Sequence, residues 1–600
     1  MEDTAHRQSQ GGESAQARAD GSAAKGSLCV VLHGHLPYLL GHGRWPHGTD
    51  WLCEAATETY VPLLETMDGL VEQGVSPKIT VGMTPVLTAQ LGKAEFREEM
   101  EGYLAHKIRS AQENARQFRS EGKDHLSWLA DMWVERFSGT REVYRDKYGG
   151  DLVAAFRRLE EQGHIEIISS AATHAYLPLL GTDEAVQAQI RQGLATHEAH
   201  YGRKARGFWL PECGYRPRYA WSSPLGGKAP VMRKGVEEFL SEEGVEYFIV
   251  DSHLLEGGEA IGVYRERFEA LGKIWREFAR QYEPPPHEIG RSPYRAWLVN
   301  SSGEAKRPVA FLAREPRTGL QVWSAEHGYP GDGWYLDFHK KHHPGGHRYW
   351  RVTGSKCDLG DKEPYEPDKV QSRIEENASH FCLLAEGLLS AHLEETGEPG
   401  VVCAPYDMEL LGHWWYEGPR WLAEVVKKAS ANPNIALTTC SGHLERQFPE
   451  TLFSLPEGSW GEGGFHWVWL NEWTEWTWKH IYPWEEEMCR LAGAALANGA
   501  KGGPEMQRVL SQLGRELLLL ESSDWQFLIT TWSARDYAEM RFLEHLESFR
   551  VLSEMARRLL EGKQPSQGDL NVLGECEGRD SIFPEVDPAW YAAVQFPAGK

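Results

Sequence analysis

The chain has 600 residues, 41% of them hydrophobic and 25% charged, a composition that excludes general disorder. That length is too great for one simple core, so a large domain with attached modules is expected. A formal charge of −24 argues against nucleic-acid and anionic-membrane partners, whose phosphates call for clustered Lys and Arg, but is compatible with a large neutral polymer.

Residues 1–26 contain almost no large apolar side chain, and a disordered tail is predicted there. From Leu28 onward, short apolar runs alternate with helical patterns. LCVVLH precedes a helix from about Trp51, KITVGM a long helical region, and HIEIISS a helix from about Asp183. GFWL, EYFIVDS, RPVAFLAR, VVCAPY and IALTTC continue the series. This alternation predicts an α/β fold, a parallel barrel of seven or eight strands with helices outside it, over 27–445. The charged, helix-forming segment at about 94–158 reads as an insertion on that barrel. After 446 the pattern changes to a Trp-rich stretch, HWVWLNEWTEWTWKHIYPW, from His466 to Trp484. Trp467 and Trp469 alternate there like a strand, while Trp473, Trp476 and Trp484 sit among polar residues that mark a loop or helix entrance. Amphipathic helices are expected around Glu485 to Ala497, Pro504 to Leu520 and Ala534 to Leu560. They would form a C-terminal helical domain over 446–562 that contributes to the active-site cleft, closed by an extended tail over 563–600.

The 24 tryptophans are the compositional outlier. A single Trp ordinarily packs a core, but a dense run also suits a surface on which ligands stack. Nine cysteines occur singly, with no CxxC pair, so neither a disulfide framework nor a thiolate zinc site is implied. No signal-like or membrane-spanning stretch is found, and a cytoplasmic protein is expected.

In βα barrels the catalytic groups come from the C-terminal ends of the strands. Here those ends deliver His33 and His35, His174, Glu212, Asp251 with His253, and Asp407 with His413. Glu212 in GFWLPECGY and Asp407 in CAPYDMELLGHWWYEG each follow an apolar strand, with aromatic residues alongside. Two carboxyl groups so placed suit glycosidic-bond chemistry, one to attack or stabilise the anomeric carbon and one to protonate the departing oxygen. Other readings stand beside this one. Glu212 could form a salt bridge to Arg216 or Arg218. Asp407 could cap a helix, with Glu409 and Glu417 as rival carboxylates. His33 and His35 could bind zinc, with Asp251 or His174 completing the shell.

Five ordered motifs carry a resemblance: HGHLPY at His33, EIISSAATHAYLPLL at Glu166, GFWLPECGY at Gly207, APYDMELLGHWW at Ala404, and the Trp-rich segment leading to SSDWQF at Ser522. Together they resemble glycoside hydrolase family 57 and, within it, the branching enzymes acting on α-1,4-glucans. The resemblance implies a distorted (β/α)₇ barrel, a retaining double displacement, an α-glucan substrate, no metal or organic cofactor, and a monomer or weak homodimer. It implies Glu212 as nucleophile and Asp407 as acid/base. The substrate-binding residues it implies are His33, His35, Trp45, His174, Trp209, Asp251, Arg314, Trp323, Trp414, Trp460, Trp469 and Asp524, together with Tyr264 on a mobile loop. The loop at about 272–290 and the stretch from Trp334 to Asp337 depart from the family pattern. A 4-α-glucanotransferase or α-amylase on the same scaffold, a noncatalytic α-glucan-binding protein and a zinc-dependent carbohydrate hydrolase are the competing functions.

Overall fold

Seven apolar segments pair side by side and close on themselves. They are β1 (Gly26–Gly34), β2 (Ile79–Met83), β3 (Ile165–Ser170), β4 (Gly207–Trp209), β5 (Tyr247–Asp251), β6 (Val309–Arg314) and β7 (Gly400–Asp407), all parallel and neighbours in that order. Pairing of Cys403 with Arg314 joins β7 to β6, and an unbroken register from Gly26↔Gly400 to His33↔Asp407 joins β7 to β1, so the barrel closes. The computed structural model describes residues 24–256, 291–302, 307–324, 328–354, 356–497 and 503–592. Tyr264, the loop at 272–290 and most of the expected N-terminal tail lie outside the described residues.

The strands are buried nearly throughout, as continuous apolar runs in a barrel jacketed by helices should be. Alternation of side chains then decides what faces the barrel axis. Cys29, Val31 and His33 share one face of β1, and Cys403, Pro405 and Asp407 share one face of β7. A slip of one residue in either strand would turn His33 or Asp407 away from the axis.

The IALTTC run is not an eighth stave. Ile435–Leu437 pairs only with Gly26, Ser27 and Leu28, along the lower edge of β1, whereas β2 takes the upper part from Val31 to Gly34. β1 is long enough to divide one edge between two neighbours. Trp297–Val299 adds antiparallel to β6, and Leu452–Phe453 pairs with it, so the sheet continues past the boundary expected at 445.

Helices Ala94–Ser120, Asp124–Glu142 and Leu152–Glu161 occupy the segment read as an insertion. In the C-terminal part, helices span Glu475–Ala497, Gly503–Leu520, Ser523–Thr531 and Arg535–Leu560. The first begins ten residues before the expected start at Glu485, because it runs through Pro483. An interior proline removes a backbone donor and disfavours the helix locally, but burial of Trp478, Ile481, Tyr482 and Glu485 on either side carries the helix through it. Trp467 and Trp469 do not form a strand. They lie in turns in which the Trp469 and Leu470 amides both donate to the His466 carbonyl.

The tail after 563 is not simply extended. Ser566 and Asp569 form a capping box that opens a helix over Gln567–Arg579. Beyond it, Asp580 is fully buried and accepts from His42 Nε2 at 2.8 Å, while Tyr38 Oη donates to the Arg579 carbonyl at 3.2 Å. The tail therefore clasps the loop that follows β1. No helix among the described residues is long and apolar enough to cross a membrane.

The helix Asp183–Tyr201 lies so close to β3 that a Cβ at Gly193 would sit 2.1 Å from the Ser170 carbonyl oxygen. Alanine normally favours a helix interior by about 1 kcal/mol over glycine. Gly193→Ala is instead expected to destabilise the protein by about 1–3 kcal/mol through overpacking. A fall in the urea unfolding midpoint at constant m-value checks this.

Candidate active site

The C-terminal ends of the strands open into a cleft of about 830 Å³. Glu212 reaches it from the turn after β4. The peptide there folds into a short 3₁₀ turn, Pro211–Cys213, in which Glu212 has φ 60° and ψ 24°. His174 (φ 58°), Glu212 and Cys213 (φ 49°) are three of the seven non-glycine residues at positive φ among the described residues. Such strain is kept where the surroundings over-determine a conformation, commonly at functional sites.

Glu212 is held on both oxygens. Trp460 Nε1 donates to Oε2 at 2.8 Å and Ser523 Oγ donates to Oε1 at 3.2 Å. The Trp460 amide also donates to the Glu212 carbonyl at 3.0 Å, so the turn and the Trp-rich segment fix one another. Burial pushes the Glu212 carboxyl up to about 7, with the Asp524 charge adding to the effect, while the Trp460 and Ser523 donors and His35 oppose it.

Three histidines form the floor. His35 and His174 stack at 4.0 Å, and His33 stacks on Trp209 at 4.3 Å. His33 Nε2 lies 3.1 Å from His174 Nε2, so one ring donates and the other accepts. His174 Nδ1 contacts Ser523 Oγ at 3.1 Å. Burial, reinforced by the neighbouring histidines, holds His33 and His174 well below the ordinary imidazole range. His35 differs: burial disfavours its charge, but Asp524, 3.0 Å from its Nε2, overcomes that and raises it. The floor thus favours positive charge at His35 over His33 and His174.

Asp407 ends β7 as the register partner of His33 and lines the same cleft as Glu212. It stands at the N-cap position of the short turn Met408–Leu410, yet its side chain makes no capping hydrogen bond. Its rivals have other work. Glu409 accepts from Tyr60 Oη at 2.5 Å and from the His35 amide at 3.1 Å, which fixes the backbone of the β1 end. Glu417 is fully buried, accepts from Tyr365 Oη and does not line the cleft. Arg218 pairs with Glu238, and Arg216 approaches Asp183, so neither guanidinium pairs with Glu212 as the salt-bridge reading requires.

Of the candidate residues, His33, His35, Trp45, His174, Trp323, Trp414, Trp460 and Asp524 line the cleft with Glu212 and Asp407. Trp209, Trp469, Asp251 and Arg314, expected at the substrate, lie behind its wall. Trp209 is fully buried beneath His33 and edge-on to Trp460. Trp469 stacks on Tyr176 at 4.2 Å. Asp251 and Arg314 face each other across β5 and β6 as a buried ion pair, and the Arg314 guanidinium lies 5.7 Å from the Trp460 ring. Trp209 and Arg314 pack on Trp460, and Asp251 holds Arg314, so these three support a residue that holds Glu212. The pair also commits Asp251 to Arg314, one of the two residues that the zinc reading offered to complete the shell.

Sequence reasoning passed over much of the opposite wall. Tyr103 and Lys107 enter the cleft from the helix Ala94–Ser120. Glu54 and Phe338 also line it, the latter 4.1 Å from Trp414. Behind them, Glu58 is bound by Arg348 and His413, each at 3.0 Å. Burial alone would raise the Glu58 carboxyl, but these neighbours hold it down at about 2. The helical periodicity of the insertion gave no sign of which face meets the cleft. Ser523 was in plain view beside Asp524 within SSDWQF.

The profile of glycosyl hydrolase family 57 matches residues 29–456, and that of the 1,4-alpha-glucan branching enzyme C-terminal region matches residues 480–591. The chain belongs to glycosyl hydrolase family 57. A 1,4-alpha-glucan branching enzyme of Thermococcus kodakarensis is 42% identical over 94% of this chain and 78% of its own. The crystal structure of a branching enzyme of this family from Pyrococcus horikoshii superposes with a TM-score of 0.83 at 39% identity, covering 96% of this chain and 98% of that one. The alpha-amylase AmyC of Thermotoga maritima superposes at 0.76 with 27% identity, covering 95% and 100%.

Because Glu212 is raised from 4.5 to about 7, its contribution favours folding below the unfolded value and is lost as pH rises through the folded one. Glu212→Gln is therefore expected to leave Tm unchanged near pH 4.5 and to raise it by several degrees above pH 7. Thermal melts of both proteins across that range check the sign.

Proposed function

We propose that the protein is a 1,4-α-glucan branching enzyme, cutting an α-1,4 linkage and rejoining the fragment through an α-1,6 bond. The observation that carries this reading is the source of the groups around Glu212. Ser523 and Asp524, within the region that matches branching enzymes, reach across to the carboxylate of the barrel and to His35.

In the proposed cycle Asp407, as the acid, protonates the departing glycosidic oxygen while Glu212 attacks the anomeric carbon, and a covalent glucosyl ester forms. Asp407, now a carboxylate, takes the proton from the 6-hydroxyl of a second glucan, whose oxygen displaces Glu212 and completes the α-1,6 bond. Retention follows from two inversions. The Trp460 and Ser523 donors favour the ionised nucleophile against its burial, and His35 acts in the same direction. Trp45, Trp323 and Trp414 supply apolar faces for sugar rings along the cleft. Transfer rather than hydrolysis requires the acceptor to arrive before water does.

The partner proposed is therefore an α-glucan such as amylose, amylopectin or glycogen, with neither nucleic acid nor a membrane engaged. The compartment is the cytoplasm, in keeping with nine free cysteines. A monomer or weak homodimer is the proposed assembly.

Incubation with amylose, followed by NMR of the anomeric protons, should give new α-1,6 signals with few new reducing ends. Reducing ends without α-1,6 signals would instead identify an α-amylase like AmyC. Glu212→Gln and Asp407→Asn should each lower kcat by at least about a thousandfold, consistent with 10³–10⁴-fold losses for central catalytic groups. Trp460→Phe removes a hydrogen bond to a carboxylate worth about 1.5–3 kcal/mol. The acid limb of kcat/KM should then move to higher pH by about 1–2 units, as a pH–rate profile of the purified variant would show.

A further inference from the structure

The rim of the cleft carries an aromatic pair that the proposed chemistry does not use, with Trp473 packed in part against the core. Trp532 is 50% exposed, and its ring meets that of Trp473 at 5.1 Å and 45°. Leaving so large an apolar face in water forgoes the free energy of burying it. Trp532 also holds φ 58° and ψ 16° at the end of the helix Ser523–Thr531. That left-handed position ordinarily falls to glycine or asparagine, and a bulky side chain is unfavourable there. Two costs at one exposed position indicate that the ring is kept for contact with something outside the chain.

The surroundings narrow what that is. Ser533 and Ala534, directly after Trp532, line the cleft, as do Phe527 and Leu528 within the same helix. Trp473 continues the segment that brings Trp460 to Glu212. Trp45 is 79% exposed and also lines the cleft. Its loop meets the start of the helix Arg535–Leu560 through His47 and Tyr537, whose rings lie 5.7 Å apart. Trp45 and the Trp473–Trp532 pair therefore border one mouth. Glu472, Ser533 and Asp536 are exposed around the pair and offer acceptors to hydroxyl groups. Apolar faces edged by acceptors, in a protein of charge −24, suit a neutral polyhydroxylated chain and disfavour an anionic one.

We infer that Trp473 and Trp532 form an outer binding platform for an α-1,4-glucan chain, on which sugar rings stack after the chain leaves the cleft. The inference rests on the glucan reading above and extends it to a length-sensing site. A short oligosaccharide fills the cleft without reaching the platform, whereas a long chain touches both.

The test uses the full chain carrying Glu212→Gln, which blocks turnover, with binding of maltotetraose and of long amylose followed by calorimetry. Adding Trp473→Ala and Trp532→Asn removes both rings, and asparagine tolerates the left-handed backbone. Affinity for amylose is expected to fall by about three- to tenfold, the range of one aromatic stacking contact, with maltotetraose affinity unchanged. Trp532→Phe should restore most of the loss. Equal affinity for amylose with and without the rings would overturn the platform alone, as would an equal loss on both ligands. So would the loss of a dimer in sedimentation without length-dependent glucan binding, which would make the patch a self-association surface. If the Glu212→Gln parent binds neither glucan, the glucan reading fails and the platform with it.

Discussion

The carboxylate of Glu212 is the constraint on which the rest of the site depends. A carboxyl group taken out of water resists ionisation, and the proposed nucleophile must be ionised. The chain opposes the effect of burial with donors from two distant segments, the Trp460 indole and the Ser523 hydroxyl. Each donor is itself positioned by further contacts. Trp460 lies edge-on to Trp209 and near the Arg314 guanidinium, which Asp251 holds in place. Ser523 is engaged by His174, and His174 by His33. The barrel end, the Trp-rich segment and the C-terminal helices therefore form one apparatus around one charge.

That arrangement explains why several residues expected at the substrate sit one layer back. Asp251, Arg314, Trp209 and Trp469 share the strand ends or the Trp-rich run with residues that do line the cleft, and sequence position cannot separate the two layers. The distinction depends on side-chain direction and on which element packs over which. Glu409 and Asp407 are two residues apart and both line the cleft, yet Glu409 is tied to the His35 amide and to Tyr60.

The barrel itself was largely legible, because parallel strands buried on both faces leave apolar runs separated by helical periods. Its misreadings have local causes. IALTTC has the composition of a barrel strand, but β1 offers it only the half-edge that β2 leaves free. Pro483 hid ten residues of helix, and a polar sequence hid the helix after 566 although its Ser566–Asp569 capping box was visible. Glu212 and Asp407 were conspicuous for a different reason, since each interrupts an apolar strand at its C-terminal end. The wall built from the helix Ala94–Ser120 carried no comparable signal, because a charged helix does not announce which stripe will face a ligand.

The clasp between the tail and the loop after β1 bears on how the protein is made. His42, seven residues beyond His35, finds its acceptor in Asp580, and Tyr38 finds its own in Arg579. A ribosome delivers His42 and Asp580 538 residues apart, and domains generally begin folding as they emerge. The barrel can begin to pair its strands early, and Gln90 can already hold the loop that carries Trp45 at Pro37 and Leu39, but the contacts of His42 and Tyr38 with the tail form only once translation has passed Asp580. Nascent chains are thus held short of a finished cleft until Asp580 has been made.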